Sequence, residues 1–168
     1  MKKVNLLILG NSNFVKRRVV NSLNKIKEID YKICSKSQKN KKIFFNNYKK
    51  ALKSNPDLVY ISLVNYLHYK YAKIALNMGL HVIVDKPITP KLHQVKELIK
   101  IAKKKNLLLS EATLFNYHSV FRKINSLIGG NKNLKFIQSN FTIPQKKSLK
   151  QIELTQSDCF MDMSPYAS

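Results

Sequence analysis

Acidic residues are scarce in this chain. Nine Asp and Glu stand against 31 Lys and Arg, for a formal net charge of +22 over 168 residues. Arginine is scarcer still, confined to Arg17, Arg18 and Arg122. The arginine fork is the group best matched to base edges. Positive charge carried almost wholly by lysine, and spread through KIKEIDYK, SKSQKNKK and IAKKKN, reads instead as solvated surface. No specific nucleic-acid partner is expected, and weak adhesion to polyanions at low salt is what the charge predicts. Long apolar runs are missing too: none approaches the roughly 20 residues that cross a bilayer. The short run from Leu6 to Leu9 follows Lys2 and Lys3 and stops at Gly10 with no small-residue cleavage site. It is therefore a strand rather than a signal peptide, and no membrane partner is expected. The two cysteines, Cys34 and Cys159, lie far apart with no metal-ligand spacing. A reducing cytoplasm and no metal site are the resulting expectations.

What the chain does contain is an alternation of buried strands and amphipathic helices. Val4 to Leu9 reads as a strand covered on both faces, and Val15, Val19, Leu23 and Ile26 then recur at helical spacing. Tyr31 to Cys34 predicts a second strand and Tyr48 to Lys53 a short helix ending before Pro56. Asp57 to Leu63 predicts a strand, Asn65 to Met78 a helix closed by Gly79, and Leu80 to Val84 another strand. Leu92 to Lys105 repeats the helical period, Leu107 to Leu109 is short and apolar, and Val120 to Ile128 is helical again. This order predicts an α/β fold with a doubly wound parallel sheet. Beyond Gly129 and Gly130 the character changes, with a strand expected from Leu134 to Ile143 and a polar stretch after it. The expected division is a first domain over 1–118 and the incomplete start of an α+β domain over 119–168.

The residues with chemical potential fall at the strand ends, where open α/β sheets bind ligands. Gly10 follows the first strand, but a G-x-G-x-x-G loop would read here as Gly10, Asn11, Ser12, Asn13, Phe14 and Val15. Only its first glycine is present. A plain strand-to-helix turn explains Gly10 about as well, although a helix starting near Asn13 still offers backbone N–H groups to a phosphate. After the second strand come Ser35 and Lys36, a hydroxyl beside a cation, where an acidic residue would favour a ribose diol. That pair suits a 2′-phosphate and favours NADP over NAD, with a plain surface lysine as the alternative. Lys86 follows a buried strand in Asp85-Lys86-Pro87 and should project from the sheet edge. There it could donate to a substrate oxygen, although a solvated lysine accounts for the pair on its own. His68 reads alone as a satisfied polar residue at a helix start. Asp162 and Tyr166 are four residues apart, so on a helix they would share a face as an acid–base pair, or lie on a surface helix without chemistry.

Taken in order, these segments resemble the Gfo/Idh/MocA family of NAD(P)-dependent oxidoreductases. The resemblance rests on the Gly10 turn, Asp57-Leu-Val-Tyr-Ile-Ser, Asn65-x-x-His68, His81-Val-Ile-Val-Asp85-Lys86-Pro87, Glu111-Ala-Thr-Leu-Phe-Asn-Tyr and Asp158-Cys-Phe-Met-Asp162-Met-Ser-Pro-Tyr166. It implies a Rossmann-type domain and hydride exchange between a nicotinamide and a hydroxyl-bearing carbon of a sugar, polyol or sugar derivative. Lys86, Asp162 and Tyr166 would be catalytic. Gly10, Ser12, Asn13, Phe14, Ser35, Lys36, Leu63, Asn65, His68, Asp85, Lys86 and Pro87 would line the cofactor. The departures are Ser12 and Val15 for glycines, Val64 for a proline, Asp85 for a glutamate and Ser164 for a glycine. The family's large open sheet is not expected within this chain. A non-catalytic nucleotide-binding remnant, or one half of a split oxidoreductase, is therefore the alternative reading, with a basic nucleic-acid-binding protein last; a homo-oligomer or a missing C-terminal partner chain would be the protein partner.

Overall fold

From Leu6 to Leu9 every residue of the first strand, β1 (Val4–Leu9), is buried. Leu6 and Ile8 pack into one apolar cluster and Leu7 and Leu9 into another, as the two-residue period of a strand requires when both faces are covered. The computed structural model describes residues 3–35 and 43–129, together with Lys135, Phe136, Gln138 and Asn140. The chain divides into two compact units, Met1–Ala112 and Thr113–Ser168.

In the first unit the other strands are β2 (Ile29–Cys34), β3 (Ile43–Phe45), β4 (Leu58–Ile61), β5 (His81–Val84) and β6 (Leu109–Glu111). They form one sheet in the order β3-β2-β1-β4-β5-β6, and every neighbouring pair is parallel. This is the doubly wound arrangement, in which the winding reverses between β1 and β4. The first helix, α1, opens as a π-helical stretch over Val15–Val19 and closes as an α-helical turn over Val20–Leu23. Its Val15 and Leu23 pack with Leu6, Ile8, Ile33 and Tyr60 on one face of the sheet. On the other face, α2 (Tyr48–Leu52), α3 (Asn65–Asn77) and α4 (Leu92–Lys105) pack against Leu7, Leu9, Val59, Ile61, Val82 and Val84. Lys73 of α3 and Glu97 of α4 add a half-exposed ion pair at 2.6 Å, to which the Tyr69 hydroxyl also donates.

Helix ends follow local chemistry. Asn47 caps α2 by accepting from the Lys50 N–H at 3.1 Å. Gly79, with φ of +82°, turns the chain out of α3 where a side chain would be strained. The sixth strand begins two residues later than the run Leu107 to Leu109 suggests. Asn106 ends α4 in the left-handed conformation, the Leu107 N–H donates back to the Ala102 carbonyl at 2.9 Å, and the Leu108 N–H donates to His81 Nδ1 at 2.9 Å. The first of these bonds closes the helix and the second goes to a side chain, so neither N–H pairs in the sheet. The third strand, β3, was not expected at all. In the second unit a 3₁₀ turn, Leu114–Tyr117, precedes α5 (Ser119–Ile128). The strand expected from Leu134 to Ile143 lies largely outside the described residues. Among the described residues no helix is long and apolar enough to cross a membrane.

Leu76 is fully buried at the centre of the helix-sheet layer built by α3. Leu76→Ala should lower unfolding stability by about 2–5 kcal/mol, the range for emptying a packed leucine site. Urea titration followed by circular dichroism measures it.

Candidate functional site

The register of the sheet puts Leu9, Cys34, Ile61 and Val84 in one row at the carboxyl edge. The residue after each strand extends the ladder by one more bond. Gly10 N–H donates to Cys34 O at 2.8 Å, Ser62 N–H to Leu9 O at 2.8 Å, Asp85 N–H to Ile61 O at 2.9 Å, and Ala112 N–H to Val84 O at 2.8 Å. Gly10, Ser35, Ser62, Asp85 and Ala112 therefore stand side by side along the edge where the winding reverses.

Gly10 has φ of +113°, and a Cβ built on it would lie 2.0 Å from the Ser62 carbonyl oxygen. No side chain fits between β1 and β4 at that height. The next residues start α1: the Ser12 hydroxyl accepts from the Val15 N–H at 3.1 Å and the Ser12 carbonyl accepts from the Lys16 N–H at 3.1 Å. Ser12 is thus an N-cap. Asn13 and Phe14 are exposed beside it, while Val15 is wholly buried against the sheet. A helix start whose first N–H groups have no intrahelical acceptor, next to a side-chain-free turn, fits a phosphate group. Ser35 is buried at the end of β2, and its neighbour Lys36 lies outside the described residues.

His68 links the two turns farther along the edge. It is fully buried on α3, with Nδ1 2.8 Å from the Pro87 carbonyl oxygen and Nε2 2.9 Å from that of Leu63. Asn65, half-buried, is the first residue of α3. In the corner after β5, Asp85 turns its carboxylate back onto β4. One oxygen accepts from the Tyr60 hydroxyl and the other from the Ser62 hydroxyl at 2.5 Å. Burial first, and then the adjacent Asp85 carboxylate, push the Tyr60 hydroxyl far above the ordinary phenol range, so it stays a donor. The Lys86–Pro87 peptide bond is cis, and the Ile88 N–H donates to the Glu111 carboxylate at 2.7 Å. Lys86 itself is half-buried between these anchored neighbours.

The structure thus gathers Gly10, Ser12, Asn13, Phe14, Ser35, Leu63, Asn65, His68, Asp85, Lys86 and Pro87 along the carboxyl edge of one parallel sheet. Asp162 and Tyr166 lie outside the described residues. Sequence reasoning missed Tyr60, Ser62 and the carboxylate of Glu111 as parts of the site. Tyr60 and Ser62 were legible as two polar-tipped residues at strand spacing near the end of an apolar strand, which puts both on one face. No group of His, Cys, Asp or Glu among the described residues is placed to hold a metal ion.

A parallel sheet in this order, with an open helix start at its reversal point and a lysine corner on the same edge, defines a dinucleotide-binding domain. Residues 7–113 match the model of the Gfo/Idh/MocA oxidoreductase family, described as an NAD-binding Rossmann fold, and the chain belongs to that family. It is 32% identical over 94 residues to a dTDP-3,4-didehydro-2,6-dideoxy-alpha-D-glucose 3-reductase of Streptomyces violaceoruber, covering 55% of this chain and 28% of the relative. Over 90 residues it is 30% identical to a trans-1,2-dihydrobenzene-1,2-diol dehydrogenase of Xenopus laevis, covering 52% of this chain and 27% of that protein. The fold matches the crystal structure of a 3-ketoreductase from Actinomadura kijaniata, in complex with TDP-benzene and NADP, with a TM-score of 0.69. That match has 23% identity and covers 76% of this chain and 44% of the other. The aligned stretch therefore spans under a third of these two curated relatives and less than half of that solved chain.

Two substitutions probe the edge. Gly10→Ala should cost about 1–3 kcal/mol from the backbone conformation alone, and more from the contact with Ser62, read as a lower urea midpoint. His68→Leu removes the ring N–H that ties α3 to these turns and should cost about 1–3 kcal/mol for the carbonyl left buried without its donor. Asparagine at the same position should recover part of that loss in the same titration.

Proposed function

We propose that this chain is the cofactor-binding part of an oxidoreductase that moves a hydride between NADP and a hydroxyl-bearing carbon of a sugar, polyol or sugar derivative. The observation that carries the reading is the placement of Lys86. It sits in a corner anchored on both sides, on the same sheet edge as the Gly10 turn and the start of α1. The bound nicotinamide would supply the site that accepts or gives the hydride.

Each group along the edge then has a role. Gly10, Ser12, Asn13 and Phe14 would hold the pyrophosphate through backbone N–H groups at the helix start. Ser35 and Lys36 would meet the adenosine ribose, where a hydroxyl and a cation favour a 2′-phosphate, making NADP the first choice and NAD the second. Leu63, Asn65, His68, Asp85 and Pro87 would shape the floor under the nicotinamide. Lys86 would donate to the substrate oxygen and stabilise the charge that builds there as the carbon changes hybridisation. Asp162 would orient the Tyr166 hydroxyl, which would exchange the proton. Residues 1–118 would form the cofactor domain and 119–168 would open the substrate domain.

A non-catalytic nucleotide-binding module is the second reading. The family match over residues 7–113, to a model of the NAD-binding domain, fits this reading as well as the first.

Fluorescence titration of the purified chain with NADPH and NADH should show saturable micromolar binding, tighter for NADPH. Failure of both to bind sinks both readings. If the chain turns over a sugar or polyol in a substrate panel, Lys86→Ala should lower kcat by about 100-fold or more with little change in NADPH affinity. NADPH binding with no turnover across the panel would select the second reading.

A further inference from the structure

The carboxylate of Asp85, itself half-buried, turns back onto the neighbouring strand end. Both of its oxygens are taken by hydroxyls, one by Tyr60 of β4 and the other at 2.5 Å by Ser62, the residue just after β4. Those two residues are each only 7% exposed, and Tyr60 lies on the face of β4 turned toward α1. A buried hydroxyl needs a partner, and a carboxylate receiving two of them forms short, charge-assisted bonds. The Asp85 backbone is fixed as well, its N–H donating to Ile61 O at 2.9 Å. On the far side of Lys86, Pro87 presents its carbonyl to His68 at 2.8 Å and the Ile88 N–H reaches Glu111 at 2.7 Å. The lysine thus leaves the sheet from a point tied down immediately before and immediately after it.

We propose that Tyr60 and Ser62 are positioning residues for Lys86. Acting through the Asp85 carboxylate, they set the direction in which the Lys86 side chain leaves the carboxyl edge of β5. The inference deepens the reading of Lys86 as the donor to the substrate oxygen and rests on it for its purpose. The physical reason is leverage. Lysine carries its charge at the end of a long flexible stem, so a small rotation of the corner moves the ammonium much farther than the backbone. A misplacement of about 1 Å at a reacting centre costs about 100-fold in rate. Two hydroxyls gripping both oxygens of one short carboxylate leave Asp85 no free rotation, whereas a single bond would let it swivel.

The test compares the full chain with Tyr60→Phe, Ser62→Ala and Ser62→Thr. Each protein is treated with trinitrobenzenesulfonate without cofactor, and lysine modification rates are read peptide by peptide by mass spectrometry. Exposed Lys100 and Lys104 of α4 serve as internal references. Loss of either hydroxyl should change the Lys86 rate by more than the spread of the two references, which hold, and Ser62→Thr should keep the parent rate. An unchanged Lys86 rate in Tyr60→Phe and Ser62→Ala overturns the proposal. A change shared by all three lysines also overturns it, because it reports general loosening. Should Tyr60→Phe fail to fold, the Ser62→Ala and Ser62→Thr pair decides alone. NADPH titration of the parent chain tests the cofactor reading separately, so failure of one does not mask the other.

Discussion

The approach of Gly10 to the Ser62 carbonyl is the constraint from which the rest of this site follows. Strands β1 and β4 are hydrogen-bonded neighbours, and the chain must leave β1 at the level where β4 ends. With φ of +113° and a virtual Cβ 2.0 Å from a carbonyl oxygen, the turn admits only glycine. Because that turn is tight, α1 can start at once, with Ser12 as its cap and Val15 against the sheet. Winding then proceeds outward in both directions from this seam, through β2 and β3 on one side and β5 and β6 on the other. In open α/β sheets a seam of this kind is where ligands bind.

The second organising element is polar. A half-buried carboxylate would be costly without partners. Asp85 meets that demand with two hydroxyls from the β4 end, and the desolvation that keeps Tyr60 protonated makes it a dependable donor. His68 places its two ring nitrogens against backbone carbonyls, one from each neighbouring turn, and donates its N–H between them. Both devices tie the β4 and β5 ends together and leave Lys86 between them. The edge is held by buried polar bonds, where a small shift of one group is resisted by several others.

Departures from the family pattern are absorbed locally. Val15 stands where a glycine would allow the closest helix approach, and it is accommodated as a fully buried apolar residue in the cluster under a π-helical opening. Asp85 is shorter than a glutamate, yet its carboxylate reaches two hydroxyls on the adjacent strand. Ser12 replaces a second loop glycine and caps the helix with its hydroxyl. None of the three disturbs the parallel register that defines the fold.

The strand-helix alternation, the parallel class and the position of Lys86 at a strand end were all legible by inspection, because apolar periodicity and turn residues are local signals. Gly10 and Gly79 were legible for the same reason. Three features were not. The strand Ile43–Phe45 is too short to carry a period, β6 begins at Leu109 because the N–H groups of Asn106 and Leu107 close α4 and that of Leu108 goes to the His81 ring, and Tyr60 acquires its role only when β5 lies beside β4. Sequence by itself determined which residues are apolar, where the chain turns and which groups can ionise. Only the tertiary structure decided which of those groups face each other, since Asp85 and its two hydroxyl partners are more than twenty residues apart and meet solely through strand pairing.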